Sequence, residues 1–378
     1  MRLWSIQLLI FSDRINHMKM ENIYFFIVIC FTSLLFASSQ DPKITSSLGE
    51  IVGKIKYITL GLSNHTVHEY LGIPFAKPPV GDRRFRKPEP LSSLTSPFYA
   101  QSSGAICPQI ATLVTLNDTQ SEDCLYLNVY VPDQRADKPS GHAVMVWVYG
   151  GGFQEGAGSH YDFSILSVTG NIIVVTINYR VGVFGFLSTG DDNALGNYGL
   201  WDQHLALKWV NDYIKDFGGD NQRVTLAGES SGAMSVGLHA LAPVNRGLFQ
   251  RIIAQSGSMT APFLNMERGG FENVLTVADS LGCKTDTVDQ LMHCLREKSV
   301  DDYINALKRL DPGRVIFGPK VDGDFVKINP RDIAKLSESR RLDEVECFRL
   351  LDMLSGFNAY EGASVLQYVM DPATIENM

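Results

Sequence analysis

A serine between two glycines marks the part of the chain with the clearest chemistry. Ser230 lies in Gly228-x-Ser230-x-Gly232, after the apolar run 224–227 and before an apolar stretch, 233–241, that stops ahead of a proline. A serine hydroxyl is a poor nucleophile unless a neighbouring base takes its proton. The flanking glycines permit a tight turn, because a Cβ at either place would clash. The order strand, turn, helix therefore predicts that Ser230 is a catalytic nucleophile.

Three consecutive glycines supply a second element that acyl transfer needs. Gly150, Gly151 and Gly152 follow an apolar run that ends at Tyr149. Consecutive glycines let backbone N–H groups approach a developing oxyanion closely. An ordinary glycine turn is the alternative for either motif taken alone, but the two occur together, as they do in lipases and esterases. We therefore predict an oxyanion hole formed by the N–H groups of Gly151, Gly152 and Ser231.

The pattern of apolar runs predicts the fold that positions these residues. Runs that predict buried strands and are separated by helical stretches lie at 143–149, 172–178, 224–227, 251–255 and 350–355. The first third is rich in strands instead, at 50–57, 69–73 and 125–131. Residues 199–217 have leucine, valine and isoleucine at helical spacing and stop at two glycines. Strands that alternate with helices indicate a mainly parallel sheet covered on both faces, with its active site at the carboxyl ends of the strands.

These patterns predict one α/β-hydrolase domain over residues 41–378. It should have a mainly parallel central sheet flanked by helices and an antiparallel portion near the N-terminus. The composition is that of an ordinary globular protein, with 45% hydrophobic and 20% charged residues. A net charge of −8 without long basic runs excludes nucleic acid as an expected partner. No Cys or His grouping has the spacing of zinc ligands, and serine-based acyl transfer implies no metal and no cofactor.

The first 40 residues have the features of a targeting segment. Residues 23–37 are apolar and uncharged, follow Lys19, and end in small residues. A membrane span needs about twenty apolar residues, so this stretch is short for one. We expect residues 1–40 to contain a cleaved signal peptide and the residues upstream of it, with an uncleaved signal anchor as the alternative. The mature protein would then be secreted, with no stable membrane span.

Cysteine usage agrees with an oxidising compartment. Two pairs that are close in sequence predict local disulfides: Cys107 with Cys124, and Cys283 with Cys294. Cys347 is left over, either as a free thiol or without its partner. Sequons at Asn64 and Asn117 are usable glycosylation sites if the chain enters the secretory route.

Taken together, the motifs resemble the type-B carboxylesterases, a family that includes cholinesterases and neuroligin-like adhesion proteins. The resemblance runs from about residue 45 to about residue 365. Beyond the two glycine motifs it rests on segments at 70–79, 122–128, 178–180, 196–203, 255–257 and 319–323. The resemblance also implies the two disulfides and two structural ion pairs, Arg84 with Glu122 and Arg180 with Asp202. Ser231 stands where alanine is usual, and we expect only its N–H to be used.

The resemblance assigns the acidic member of a catalytic triad as well. Residues 356–362 fit the family pattern G-x-N-x-x-E-G, which makes Glu361 the carboxylate that orients the catalytic imidazole. A surface glutamate in a loop is the alternative. In this fold the histidine follows the acid in chain order. All eight histidines precede Glu361, at 17, 65, 68, 142, 160, 204, 239 and 293. We therefore expect the triad His to be absent from the chain, the last strands to be missing by truncation, and the activity to be very low.

The expected function is that of a serine carboxylic ester hydrolase that forms an acyl-enzyme on Ser230 and takes a small-molecule ester. The resemblance implies that a cholinesterase has a tryptophan for cation–π contact with choline in the loop closed by the first disulfide. The loop between Cys107 and Cys124 contains no tryptophan, which argues against a choline ester as the favoured substrate. One alternative is a non-catalytic, neuroligin-like adhesion protein, for which Ser230 and Glu361 would be unnecessary. Another is a short isoform that acts as a decoy. The residues do not indicate the oligomeric state.

Overall fold

Short apolar and β-branched runs form the strands of the computed structural model, which describes residues 41–110, 118–261, 270–310, 317–333, 343–359 and 361. The strands in these ranges are β1 (Lys43–Ser46), β2 (Gly49–Val52), β3 (Lys54–Leu60), β4 (Ser63–Pro74), β5 (Phe98–Tyr99), β6 (Tyr126–Pro132), β7 (His142–Val148), β8 (Ile173–Ile177), β9 (Gly219–Glu229), β10 (Arg251–Gln255) and β11 (Asp352–Gly356). The α-helices are α1 (Ser164–Gly170), α2 (Gly182–Phe186), α3 (Tyr198–Tyr213), α4 (Ser231–Leu241), α5 (Phe271–Ser280), α6 (Val288–Glu297), α7 (Val300–Arg309) and α8 (Asp343–Arg349).

Eight of these strands form one mixed sheet in the order β11-β10-β9-β7-β8-β6-β4-β3. The five strands from β11 to β8 run parallel to one another. The pairs β8–β6, β6–β4 and β4–β3 are antiparallel. β1, β2 and β5 form a separate three-stranded sheet. The predicted mainly parallel sheet with an antiparallel N-terminal portion is thus confirmed, and β9, which precedes Ser230, lies in the interior of its parallel half.

Gly53 divides what the sequence predicts as one strand, residues 50–57. The structure has β2 before this glycine and β3 after it, and the two strands belong to different sheets. A Cβ at Gly53 would lie 2.6 Å from the carbonyl oxygen of Glu69 and 2.7 Å from the ring of Tyr70. The chain therefore passes too close to β4 for any side chain at this position. Periodicity within the run does not reveal such a long-range contact.

The strand that leads into the serine turn is longer than its apolar run alone predicts, whereas the helix before that strand ends as predicted at a glycine. β9 begins at Gly219, five residues before the predicted start, because polar side chains satisfy the backbone there: Asp220 Oδ1 accepts the N–H of Gln222 at 2.9 Å. The helix predicted over 199–217 is α3, followed by a 3-10 turn that ends at Gly218 with φ 82°. Glycine adopts this left-handed conformation without strain.

Two buried ion pairs tie distant segments to this sheet. Arg180 meets Asp202 through two hydrogen bonds of 2.7 Å, and both side chains are almost fully buried. Arg84 meets Glu122 at 2.6 and 2.5 Å. The Arg84 guanidinium also donates to three backbone carbonyls, those of Leu295, Arg296 and Lys298. Both pairs have the structural role that the resemblance implies.

Asp202→Asn should lower the free energy of unfolding by about 3–5 kcal/mol, because it leaves the buried charge of Arg180 without its counter-charge. Asp212→Asn is the matched control on the same helix, where Asp212 pairs with Lys208 at the surface, at 3.2 Å. That change should cost less than about 0.5 kcal/mol. Urea unfolding followed by circular dichroism measures both. Equal losses in the two variants would contradict the structural role of the buried pair.

Both predicted disulfides are present, Cys107–Cys124 and Cys283–Cys294. Cys347 is buried and not disulfide-bonded. Asn64 is exposed at the start of β4, where a glycan would meet no obstacle, and its glycosylation stays a prediction. The second sequon, at Asn117, and the predicted signal peptide lie outside the described residues. Within the described ranges, no helix combines the length and the apolar character that crossing a bilayer requires.

Candidate active site

Ser230 occupies the sharp turn between β9 and α4. Its backbone has φ 54° and ψ −122°, a conformation that non-glycine residues rarely adopt. The turn is held from both sides: the Ser230 N–H donates to the carbonyl of Gln255 at 2.8 Å, and its own carbonyl accepts the N–H of Met234 at 3.0 Å. Strain of this kind costs of order 1–3 kcal/mol and concentrates at functional sites. The predicted strand, turn and helix are therefore present, and the strain supports a functional role for Ser230.

The two motif glycines let α4 pack against the sheet directly below this turn. A Cβ on Gly232 would lie 2.1 Å from the carbonyl oxygen of Val148, and one on Gly228 would lie 2.6 Å from the carbonyl carbon of Gly232. In both cases the obstructing atom belongs to the backbone, which cannot swing aside as a side chain can. The spacing G-x-S-x-G thus reflects two close approaches that fix where Ser230 points.

Two further glycines contact Ser230 from neighbouring segments. A Cβ on Gly150 would lie 2.9 Å from the Cβ of Ser230 and 2.6 Å from Oε2 of Glu229. A Cβ on Gly257 would lie 2.2 Å from the Ser230 carbonyl oxygen. The predicted oxyanion loop therefore begins in direct contact with the predicted nucleophile, although the two are eighty residues apart in sequence.

Three consecutive residues of that loop have positive φ angles: Gly151 at 114°, Gly152 at 62° and Phe153 at 64°. The loop is closed by hydrogen bonds at its base. The Gly151 carbonyl accepts the N–H groups of Gln154 and Glu155 at 2.9 and 3.2 Å. The structure thus places Gly151 and Gly152 on a turned backbone directly after Gly150, which contacts Ser230, while their function as oxyanion donors stays a prediction.

The side chain of Ser231 takes part in this arrangement, contrary to the expectation that only its N–H is used. Ser231 is buried at the first position of α4, and its Oγ accepts the N–H of Phe153 at 3.3 Å. Serine can do this where alanine cannot, because the contact needs an acceptor oxygen. One residue therefore carries a predicted oxyanion donor on its backbone and holds the glycine loop with its side chain. A sequence motif alone does not show this long-range contact.

Two buried tyrosines form a platform from which the glycine loop starts. Tyr149 and Tyr179 stack with their ring centroids 4.3 Å apart. Each hydroxyl donates to the other residue's carbonyl, at 2.8 and 2.9 Å. Burial raises the pKa of both phenols well above the ordinary value, so both remain neutral donors. Both residues lie in segments that carry the family resemblance, but the sequence does not predict that they pair.

The predicted acid, Glu361, interacts electrostatically with Glu229, the residue before Ser230. It follows β11, the strand at the edge of the parallel half, and Asn358 Nδ2 donates to its Oε2 at 3.2 Å. Burial raises the pKa of Glu229, and the negative charge of Glu361 raises it further. The carboxylate of Glu361 therefore lies within electrostatic range of the residue that precedes Ser230. The structure brings the predicted nucleophile, glycine loop and acid to one end of the sheet.

Similarity to known protein sequences shows the family to which the chain belongs. The sequence profile of the Carboxylesterase family matches residues 40–378. The chain belongs to the carboxylesterase family. The predicted resemblance and the α/β-hydrolase fold are both confirmed by this match.

Curated relatives of this carboxylesterase-family chain include two kinds of protein. Neuroligin-3 of Mus musculus is 37% identical over 385 residues, which cover 90% of this chain and 45% of the relative. Cholinesterase of Mus musculus is 36% identical over 374 residues, covering 93% and 59%. Neuroligin-3 of Rattus norvegicus is 35% identical over 413 residues, covering 92% and 47%. The chain spans about half the length of the curated relatives it matches.

The histidines that the structure describes all have partners other than Ser230. Seven of the eight lie in the described ranges, and His17 lies outside them. Their partners are Gln134 for His65, Asp133 for His68, the Asn171 carbonyl for His142, Asp118 for His160, Asn245 for His204, Gln203 and Asn245 for His239, and Glu297 for His293. The absence of a general base from the chain therefore stays a prediction, since it concerns His17 as well as the described histidines.

His239 is the histidine closest to the serine in sequence, and its surroundings are those of a structural residue. It lies on α4, where its Nε2 meets Gln203 Oε1 at 2.8 Å and its Nδ1 meets Asn245 Nδ2 at 2.9 Å. Burial lowers its pKa to about 3. Both ring nitrogens are engaged, so the imidazole is neutral and fixed in one tautomer.

This buried imidazole should make the fold sensitive to acid. Above pH 6.5 His239 is neutral in both the folded and the unfolded chain, so it has no effect there. Below pH 6.5 the unfolded chain binds a proton that the folded chain excludes until about pH 3. The free energy of unfolding should therefore fall by about 2 kcal/mol between pH 7 and pH 5. His204, whose pKa is also lowered by burial, acts in the same direction.

Urea unfolding at several pH values tests this effect. His239→Gln should reduce the slope of stability against pH by about 1.4 kcal/mol per unit below pH 6, because one titrating group is removed. His293→Gln makes the same substitution at an exposed position on α6 and is the control for the change of side chain. An unchanged slope in the His239→Gln variant would show that His239 does not exclude the proton.

Proposed function

We propose that the chain carries the nucleophile, the oxyanion hole and the acid of a serine carboxylic ester hydrolase. One observation supports this most strongly: Ser230 keeps a conformation that glycine would adopt without strain, in contact with a glycine loop from another strand. A hydroxyl on this turn is exposed to an incoming carbonyl group. The substrate class is a small-molecule carboxylic ester.

In the proposed reaction, Ser230 Oγ attacks the carbonyl carbon of the ester and loses its proton to a histidine. The N–H groups of Gly151, Gly152 and Ser231 stabilise the negative charge on the carbonyl oxygen. The C–O bond to the alcohol then breaks, and the histidine returns the proton to the departing alcohol. Water, activated by the same histidine, hydrolyses the acyl-enzyme and regenerates Ser230. Glu361 would orient the imidazole and stabilise its charged form.

We propose that the histidine of this reaction is none of the seven that the structure describes. The described histidines are engaged elsewhere, and His239, the nearest in sequence, has no nitrogen available. In this fold the histidine follows the acid in chain order, which places it after Glu361. A chain without that histidine should turn over esters very slowly, since loss of the triad histidine costs about a million-fold in kcat in another serine hydrolase. We also propose that the complete protein is secreted.

A non-catalytic, neuroligin-like adhesion function is the second candidate. Its support is that neuroligin-3 sequences match this chain at the same level of identity as a cholinesterase does. A binding surface has no requirement for a strained serine against an oxyanion loop, so the geometry favours the hydrolase. A short isoform that acts as a decoy would share the fold but show no turnover in any form of the protein.

Hydrolysis of p-nitrophenyl butyrate by the protein from the full-length natural transcript tests the proposal. We expect a burst of nitrophenol equal to the concentration of protein, followed by steady turnover, because this activated ester acylates the serine faster than water removes the acyl group. Soluble protein that retains a cooperative unfolding transition but gives neither burst nor turnover would contradict the hydrolase and favour adhesion.

A further inference from the structure

The side chain of Gln109 ties the oxyanion loop to the disulfide-closed segment that starts at Cys107. Gln109 Oε1 accepts the N–H of Gly156 at 2.8 Å, and Gln109 Nε2 donates to the Gly156 carbonyl at 3.0 Å. The same Nε2 donates to the Cys107 carbonyl at 2.9 Å. The side chain is buried, with 4% of its surface exposed. The Gln109 amide therefore pairs with both the N–H and the carbonyl of Gly156, as the backbone of a neighbouring strand would.

Gly156 is where the oxyanion loop returns to its starting point. It has φ 118°, and a Cβ there would lie 2.4 Å from the ring of Tyr149 and 2.7 Å from the Gly150 carbonyl oxygen. The end of the loop thus packs directly on its beginning. A contact that fixes Gly156 fixes the closure of the whole loop, including the backbone of Gly151 and Gly152.

Gln109 is itself held by the segment it belongs to. Its backbone N–H donates to Gln120 Oε1 at 2.9 Å, and the Cys107–Cys124 disulfide closes the segment. Of the twenty side chains, only asparagine and glutamine end in an amide that presents a donor and an acceptor in one plane. Asparagine is one methylene shorter, so glutamine fits a contact of this reach. The match between side chain and backbone is therefore specific.

We propose that Gln109 is a positioning residue for the oxyanion hole, and that the Cys107–Cys124 disulfide acts on the site through it. The loop 150–156 would be held in its turned conformation by the two hydrogen bonds at Gly156. The inference rests on the proposed hydrolase function, because it concerns the placement of the Gly151 and Gly152 N–H groups. No covalent step is assigned to Gln109.

Two measurements on the full-length protein test the proposal: amide hydrogen exchange of the peptide 149–157, and the rate at which a fluorophosphonate probe labels Ser230. Gln109→Ala should speed the exchange about tenfold and slow the labelling about tenfold, because buried hydrogen bonds are lost and the donors are misplaced. Gln101→Ala is the matched control. Gln101 donates a hydrogen bond to the Gly53 carbonyl at 3.1 Å, immediately before β3. It should change neither rate by more than about twofold.

Gln109→Glu separates positioning from general stability. The carboxylate form accepts the Gly156 N–H but has no proton to donate, whereas the protonated form accepts that N–H and donates its single O–H to one of the two carbonyls. Exchange of the peptide 149–157, taken relative to wild type at each pH, should therefore be faster at pH 8 and approach wild type at pH 5. This rescue needs no ester turnover, so it tests Gln109 even if Ser230 proves unreactive.

Unchanged exchange in both Gln109 variants, or exchange that rises equally throughout the protein, would overturn the positioning role. Failure of wild-type protein to label, with the exchange effects intact, would overturn the proposed hydrolase but not the contact. If Gln109→Ala does not fold, the pH-dependent rescue in Gln109→Glu decides the matter alone, because a merely structural defect would not reverse with the protonation of one carboxyl group.

Discussion

Ser230→Gly should abolish ester hydrolysis and yet make the protein more stable by about 1 kcal/mol. The backbone of Ser230, at φ 54° and ψ −122°, is strained for any residue with a Cβ. Glycine removes that strain, although the greater freedom of the unfolded chain offsets part of the gain. The same substitution removes the hydroxyl that we propose attacks the ester. Stability and activity should therefore change in opposite directions.

Urea unfolding and p-nitrophenyl butyrate turnover, measured on the same preparations, check this result. Ser230→Ala is the control, because alanine removes the hydroxyl but keeps the Cβ and so keeps the strain. It should be equally inactive with a nearly unchanged free energy of unfolding. Residual turnover above about one part in a thousand in either variant would mean that another residue acts as the nucleophile. A destabilised Ser230→Gly variant would show that the turn is not strained.

Gly232→Ala should lower the free energy of unfolding by roughly 3 kcal/mol and strongly reduce turnover. The new Cβ would lie 2.1 Å from the Val148 carbonyl oxygen and 2.8 Å from that of Tyr149. Both obstructing atoms are backbone oxygens. Val148 is the last residue of strand β7, and Tyr149 leads into the glycine loop. Helix α4 would have to move away from the sheet, and Ser230 would move with it.

Gly237→Ala is the matched control on the same helix. Its Cβ would meet only the side chain of Met259, at 3.0 to 3.2 Å, and a methionine can adjust. Alanine also favours the helix over glycine by about 1 kcal/mol, so this change should be neutral or slightly stabilising. Urea unfolding compares the two variants. Equal stabilities would show that the close approach at Gly232 does not determine how α4 packs.

The sequence predicts the fold well where local pattern and packing agree. The run 251–255 is β10 without any shift of its bounds, since a short apolar strand between turns has no competing structure. Gly228 and Gly232 indicate the serine turn because their close backbone contacts leave no room for a Cβ, and this requirement for glycine is visible in the sequence. The split at Gly53 has the same cause, but a lone glycine does not state which distant strand approaches it.

In the candidate site, too, the sequence predicts residues that lie in local motifs but not the contacts between distant segments. Ser230, the glycine loop and Glu361 each lie in a motif, so the sequence identifies them. The contacts that hold them, from Ser231 Oγ to the Phe153 N–H and from Gln109 to Gly156, join residues 78 and 47 positions apart. Such contacts depend on how strands are ordered in the sheet, which the periodicity of single elements does not specify.

Covalent labelling of the full-length protein with a fluorophosphonate, followed by mass spectrometry of the modified peptide, tests the central claim most directly. If Ser230 is the nucleophile, we expect one phosphonate per molecule, located on Ser230, with no labelling in the Ser230→Ala variant. Folded protein that remains unlabelled, or that carries the phosphonate on any other residue, would contradict the assignment of Ser230 as the nucleophile.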